Sequence, residues 1–383
     1  MSVTSPRVLL VSHRFRTPHV SWASMYEFED VVCAVDDVQL VAPQLSEPRP
    51  LPGETLAVGQ LRRRWGIDVN RRPTTEKTKL SGRYDLLFVR VMNPQDVCIL
   101  DAVEGWRERC AVKVCWIDEL WIERLRDAKT LSLLDQFDHV FISHAALVGP
   151  LSALIRPSCS YQSFGVDALR FCPYPSPPPR SIDFYALGRR SPVAHRELYE
   201  RANRAPGFNY FYDSARWTTF VEDHTQHRLL TANLIKRSRY FMADRSKANV
   251  PDQTQGGQVF GPRYFEGAAA GAILVGEPPD CDVFRSDFDW PDAVVPFPFG
   301  STGICDLLES LDADPDRMHA ARLANMTNML RRHDWSYRWN EVLETIGMRP
   351  ASNATQRAAA LEDQARKVEA SAPPRSMLRE KIS

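Results

Sequence analysis

Short, unbroken apolar runs recur through this chain and constrain its fold more than any other feature. Arg7–Ser12, Val38–Ala42, Asp85–Val91, Val112–Trp116 and His139–Ser143 are rich in Val, Leu and Phe. Runs of this kind suit strands buried on both faces, as in a parallel sheet covered by helices. Helical stretches over Asp96–Arg109 and Lys129–Phe137 lie between them, giving a βαβ rhythm.

The rhythm halts at "FCPYPSPPPRS", Phe171–Ser181. Five prolines so close together exclude helix and central strand, and stiffen the segment into a linker. The rhythm then resumes with strands Ile182–Leu187, Phe208–Phe211, Tyr240–Ala243 and Ala272–Val275. Helices are expected over His195–Arg204, Arg228–Ser238 and Ile304–Leu311. With 383 residues there is room for two such units. The expected fold is α/β, with two Rossmann-like parallel-sheet domains facing a cleft. Its parts are a first domain (1–172), a linker (173–181), a second domain (182–330), a C-terminal helix (331–348) and a tail (349–383). The tail, rich in Ala, Glu, Arg, Lys and Ser, reads as flexible, although "RAAALEDQARKVEA" could form a partner helix with a thin apolar face.

Forty-eight basic residues balance forty-eight acidic ones, so nothing global favours nucleic acid. The first apolar run is too short for a signal peptide or a membrane span. Eight cysteines occur without a CxxC pair, which fits reduced thiols in the cytoplasm.

Ligands of open α/β sheets sit beyond the carboxyl ends of the strands, so the loops there carry the candidates. The segment "QVFGPRYFEGAAAG", Gln258–Gly271, places one carboxylate in a small-residue helix of about Pro262–Ala270. Pro262 suits its first position and Gly271 its C-terminal cap. Gly256, Gly257 and Gly261 leave the backbone bare near the helix N-terminus, where N–H groups and the dipole favour a phosphate. Glu266 lies about a turn further in and could accept from ribose hydroxyls. A plainly capped helix explains the same residues equally well. No Walker A or GxGxxG sequence occurs.

This segment resembles the donor-binding signature of GT-B glycosyltransferases, in particular the retaining "group 1" family and its CgeB-like relatives. That family has two glutamates eight positions apart, with Phe-Gly after the first. Phe260-Gly261 and Gly271 match, and Glu266 falls on the second glutamate, which in the family holds the ribose of a nucleotide sugar. Gln258 stands where the first glutamate would be. An amide hydrogen-bonds hydroxyls but cannot stabilise positive charge as a carboxylate does. "SFGVDALRFCP", Ser163–Pro173, looks like the stretch closing the family's first domain. "FYALGRRSPVAHREL", Phe184–Leu198, resembles the first strand and loop of the donor domain, where a basic pair neutralises the diphosphate. Arg189 matches the first of that pair; Arg190, His195 and Arg196 compete for the second, and Arg263 joins the donor-binding candidates. "RRHDWSYRWNEVLETIG", Arg331–Gly347, resembles the helical segment that crosses back to the first domain.

The resemblance implies transfer of a sugar from a nucleotide-diphosphate donor to a hydroxyl acceptor, with retention, no metal and no further cofactor. It leaves room for peripheral contact with the inner face of a membrane, since lipid-linked acceptors are common in the family. On the acceptor side, His13 in "SHRFRTPH" and Asp118 and Glu119 in "CWIDELW" follow strands. A surface histidine and a helix-capping aspartate explain two of them as readily. Asp280–Asp282, Asp287–Asp289 and Asp312–Asp314 form Asp-x-Asp triplets outside the expected cleft loops, so no metal site is expected. The aromatic stretch Phe208–Trp217 holds interest only at its end, Asp213–Trp217. Two other functions fit the same residues: a GT-B-like protein that binds a nucleotide sugar or glycan without transfer, and a nucleotide-sugar epimerase.

Overall fold

The computed structural model describes residues 6–14, 16–44, 77–213, 220–250, 254 and 257–371. Phe15, Trp217, Gly256 and residues 372–383, all within segments read above, lie outside them.

The first sheet has six strands: β1 (Val8–Val11), β2 (Val38–Val41), β3 (Tyr84–Val91), β4 (Cys110–Ile117), β5 (His139–Ile142) and β6 (Ser158–Tyr161). Their order is β2-β1-β3-β4-β5-β6, every pair parallel. The register sets Leu10 against Leu40 on one side and Phe88 on the other. Helix α1 (Ala23–Val35) links β1 to β2 and covers one face of the sheet.

Ala168–Phe171 (α2) ends the first domain, and the proline segment leads to the second. There β7 (Ile182–Ala186), β8 (Tyr210–Tyr212), β9 (Ser238–Met242), β10 (Ile273–Gly276) and β11 (Val295–Pro296) run parallel in the order β8-β7-β9-β10-β11. The connecting helices are α3 (Pro192–Arg204), α4 (His224–Lys236), α5 (Arg263–Ala269) and α6 (Ile304–Asp312). The order reverses about β1 in the first sheet and about β7 in the second. A crevice therefore opens beyond β1 and β3, and another beyond β7 and β9.

Helix α5 lies tight on its sheet because Gly267 allows it. A Cβ there would stand 2.3 Å from Leu274 Cδ2 and 2.7 Å from Phe241 Cδ1. Gly271 follows at φ +65°, the left-handed conformation that ends a helix.

Three helices close the chain: α7 (Pro315–Arg332), α8 (Trp335–Thr345) and α9 (Ala354–Ala370). Helix α8 completes the core of the first domain. Trp335 packs edge-on to Phe28 at 5.4 Å, Trp339 packs on Phe88 at 5.1 Å, and Trp339 Nε1 donates to Asp36. One apolar core runs from Phe28 and Trp116 through Trp335 into Phe241 and Ala268 of the second domain. Separate cores fill the far face of each sheet.

Several elements differ from expectation. The helix expected over Asp96–Arg109 is a 3₁₀ stretch, Pro94–Ala102, then Val103–Glu104 in extended form and a short helix, Trp106–Arg109. The supposedly flexible tail forms α9, with Leu361, Ala365 and Val368 fully buried. Its few apolar residues fall on one stripe, and ion pairs hold the rest: Arg331 with Glu362 and Glu369, and Arg357 with Asp167 and Asp334.

Candidate active site

The turn after β7 and the start of α5 meet in the crevice of the second sheet. Gly188 takes φ +71°, and its N–H donates to Asp213 Oδ2 at 2.9 Å. A Cβ at Gly188 would lie 2.3 Å from Nη2 of Arg263, so the glycine is what lets that guanidinium lie under the turn. Arg263 Nη1 donates to the Arg189 carbonyl at 3.2 Å. Burial lowers the Arg263 pKa, while Glu266, Asp244 and Asp213 oppose that shift and the Arg189 charge adds to it. Arg189 is exposed and forms no ion pair among the described residues.

The other basic candidates are placed differently. Arg190 pairs with Asp213 at 2.8 Å and lies over the Tyr212 ring, so its charge is already matched. His195 hydrogen-bonds the Tyr210 hydroxyl at 2.8 Å. Arg196 is exposed on α3, without an ion pair among the described residues. Two cations, Arg189 and Arg263, therefore meet at the Gly188 turn, beside the N-terminus of the thirteen-residue α3.

Glu266 is buried, 3% exposed, and its Oε1 accepts from Arg228 Nη1 at 2.5 Å. No other hydrogen bond reaches its side chain among the described residues. Arg228 turns its remaining nitrogens to Glu27 of the first domain, at 2.9 and 3.2 Å. A lone buried ion costs several kcal/mol, and this chain of opposite charges is what makes the burial tolerable.

Gln258 Oε1 accepts from the Asp280 N–H at 3.2 Å, and its Nε2 has no partner among the described residues. Phe260, a donor-site candidate from the sequence, is 3% exposed and packs on Phe284 at 5.0 Å within an aromatic cluster. Its ring belongs to the core, which pins the backbone just before α5. Gly261 has room: a Cβ there would meet only Ser246 Oγ, at 3.7 Å.

Asp244, the first residue beyond β9 apart from Ala243, had drawn no notice in the sequence. Its Oδ1 accepts from the Glu277 N–H at 3.0 Å, and its Oδ2 is buried without a partner among the described residues. Burial raises its pKa to about 6, against the pull of that hydrogen bond and of Arg263.

In the first domain, Asp118 is clasped by Arg90 through two bonds, 2.8 and 3.0 Å, both residues buried. The Arg90 guanidinium also lies over Trp116 at 3.9 Å. A carboxylate held this way is a structural ion, not a free base, and it caps no helix as one reading of the sequence had it. His13 is buried, its Nε2–H donating to the Asp96 carbonyl at 3.0 Å, and burial lowers its pKa to about 4. Glu119 is half-exposed; it accepts from Trp121 Nε1 at 3.4 Å and lies 3.9 Å from Lys247, whose ammonium sits over the Trp121 ring. Trp121 and Glu119 of the first domain thus face Lys247 of the second. His144 joins them, since a Cβ on Gly257 would lie 3.1 Å from its ring. Neither His144 nor Lys247 carried a signal in the sequence beyond standing after a strand.

The aspartate triplets have local partners. Asp280 and Asp282 bind Arg285, Asp289 binds Arg332, Asp312 binds Arg239, and Asp287 accepts from Ser163. Among the described residues, no group of three or more His, Cys, Asp or Glu side chains could hold a metal, and no helix is long and apolar enough to cross a membrane.

Residues 189–344 match a family described as glycosyl transferase-like. No curated protein matches the chain in sequence. Among solved structures, HepE of Anabaena in complex with UDP-glucose is 12% identical at a TM-score of 0.50, covering 88% of this chain and 98% of its own. An alpha-glucosyltransferase in complex with UDP and a 13-mer DNA containing a HMU base is 11% identical at a TM-score of 0.49, covering 90% of this chain and all of its own. The likeness to HepE is one of fold: two Rossmann-like domains in the GT-B arrangement.

Proposed function

We propose that this chain, whose second domain is a glycosyltransferase domain on a GT-B fold, transfers a sugar from a nucleotide-diphosphate donor to a hydroxyl acceptor. The transfer retains anomeric configuration and needs no metal, and the chain falls on the CgeB-like branch of its family. The observation that carries the reading is the meeting, in one crevice, of two guanidiniums outside any ion pair among the described residues with a buried carboxylate. Arg189, Arg263 and the N-terminus of α3 gather positive charge, and Glu266 keeps one oxygen without a donor among the described residues.

Each part has a task. The two guanidiniums and the α3 dipole stabilise charge building on the leaving diphosphate. The second oxygen of Glu266 accepts from a ribose hydroxyl. Gln258 offers its free Nε2 to a sugar hydroxyl. With Asp118 locked to Arg90, retention is the simpler stereochemistry: the departing phosphate oxygen takes the acceptor's proton on the face it leaves. The Lys247 ammonium over the Trp121 ring joins loops of the two domains, and domain closure there would exclude water. The same chemistry at the inner face of a membrane would serve a lipid-linked acceptor.

Calorimetric titration of UDP, GDP and their sugar conjugates tests the donor site. Arg263→Ala should weaken the nucleotide bound by wild type by roughly 1.5–3 kcal/mol, the worth of a charge-assisted hydrogen bond. It leaves the Glu266–Arg228 pair intact, so the fold is retained. Unchanged affinity in the variant sinks the diphosphate assignment. Sugar transfer to a glycan pool, set against epimerised donor or no product, separates transferase from epimerase and from a binding protein.

A further inference from the structure

Glu27 is completely buried on α1 of the first domain. Five donors converge on it: Arg228 Nε at 2.9 Å and Nη2 at 3.2 Å, Arg170 Nη1 at 3.4 Å, the Asp167 N–H at 3.1 Å and Trp335 Nε1 at 3.1 Å. They come from the end of the first domain, from α4 and from the returning α8, so Glu27 is fixed by three parts of the chain at once. A guanidinium is a rigid planar fork. With one edge bound to Glu27, the direction of its remaining nitrogen is set, and that nitrogen holds Glu266. The Phe171 ring, 4.9 Å from the guanidinium carbon, supports its face.

We propose that Arg228 is a positioning residue that ties the donor carboxylate Glu266 to the first domain, so that Glu27, which touches no ligand, helps set nucleotide affinity. This rests on the reading of Glu266 as the ribose acceptor. It goes beyond that reading because the orientation of a second-domain ligand group is fixed by a first-domain residue. Rotation of the domains about their shared core must carry Glu27, hence the fork, hence the free oxygen of Glu266. Nucleotide binding and domain arrangement are thereby linked.

A mere interdomain brace would also use such residues, and a double-mutant cycle separates the two roles. UDP, GDP, ADP and dTDP are titrated into wild type, Glu27→Gln, Glu266→Gln and the double variant, with thermal unfolding of each. Asp30→Asn serves as control: Asp30 joins the domains through His224 at 2.8 Å and, among the described residues, makes no bond to Glu27, Arg228 or Glu266. Glu27→Gln should weaken the nucleotide that wild type binds by roughly tenfold. The same change in the Glu266→Gln background should have almost no effect, and Asp30→Asn should lower the melting temperature while sparing affinity. Equal losses in both backgrounds, a wild-type affinity for Glu27→Gln, or an equal loss from Asp30→Asn would each overturn the proposal. Should Glu27→Gln fail to fold, Arg228→Lys keeps the charge without the fork and should lose affinity; full affinity there overturns the proposal too. Wild type that binds none of the four diphosphates overturns the donor reading itself, and this inference with it.

Discussion

A carboxylate oxygen buried without a donor works against the folded state, and Asp244 Oδ2 is one. The ordinary pKa of 3.8 rises to about 6 in the fold. Between these values the folded chain keeps a proton that the unfolded chain has released, so this group's contribution to stability falls as pH rises through that window. Above it the full cost stands. Asp244→Asn should therefore be more stable than wild type at pH 8, by about 1–3 kcal/mol. The advantage should fade to nothing near pH 3.5, as read from urea unfolding at both pH values. No gain at pH 8 would mean that Oδ2 has a favourable partner in solution. At this scale the sequence was legible where neighbours in the chain set a residue's local place: Glu266, between Gly261 and Gly271, was expected in a small-residue helix and lies in one, buried. Arg228 was not legible, because its partner Glu27 lies 201 residues away and nothing around either marks the pair. Gln258 and Phe260 stand two positions apart in one motif, yet one faces the Asp280 loop and the other the aromatic core; only packing separates them.

Helix α9 shows what a composition reading misses. Its sequence is mostly Ala and charge, which looked too polar to pack. Yet alanine costs little to order, and close contact between helices needs small side chains. Leu361 is fully buried at the centre of its stripe. Leu361→Ala should lose about 2–5 kcal/mol of stability, with nucleotide affinity unchanged because α9 lies away from the Gly188 turn. A loss below 1 kcal/mol in denaturant titration would show α9 to be loosely docked. Most strands of both sheets were legible because unbroken apolar runs have few other uses. Among the elements missed are α1 and α7, whose apolar residues face other layers, and Ser158–Tyr161 and Val295–Pro296 at the sheet edges, both short of large apolar residues. Pro94–Ala102 was misread because its apolar residues suit either helical period, and its capping box fixes the start but not the pitch.

For the molecule as a whole, acid sensitivity follows from burial. His13 has an ordinary pKa of 6.5, lowered to about 4 in the fold. The unfolded chain therefore binds the proton first, and the stability held above pH 6.5 is lost as pH falls towards 4, on the order of 3 kcal/mol from this group. Asp244 acts in the opposite direction over part of that range, so the variant difference is the clean measure. His13→Asn should lose less stability than wild type between pH 7.5 and pH 4.5. Parallel losses would place the sensitivity in other groups. The two-domain architecture was legible from the proline segment and the restarting rhythm; the joint between the domains was not, being made of buried ion pairs and aromatic rings drawn from distant segments. That joint bears on how the protein is made. Trp335 and Trp339 complete the core around Phe28 and Phe88, yet the ribosome adds them well over a hundred residues after β6. At typical synthesis rates that is a wait of roughly ten to thirty seconds. Throughout it, α1 covers that face of the nascent first sheet only in part, and the apolar strip beside Phe28 and Phe88 waits for Trp335 and Trp339, so the newborn chain is a natural client for whatever shields such strips until α8 emerges.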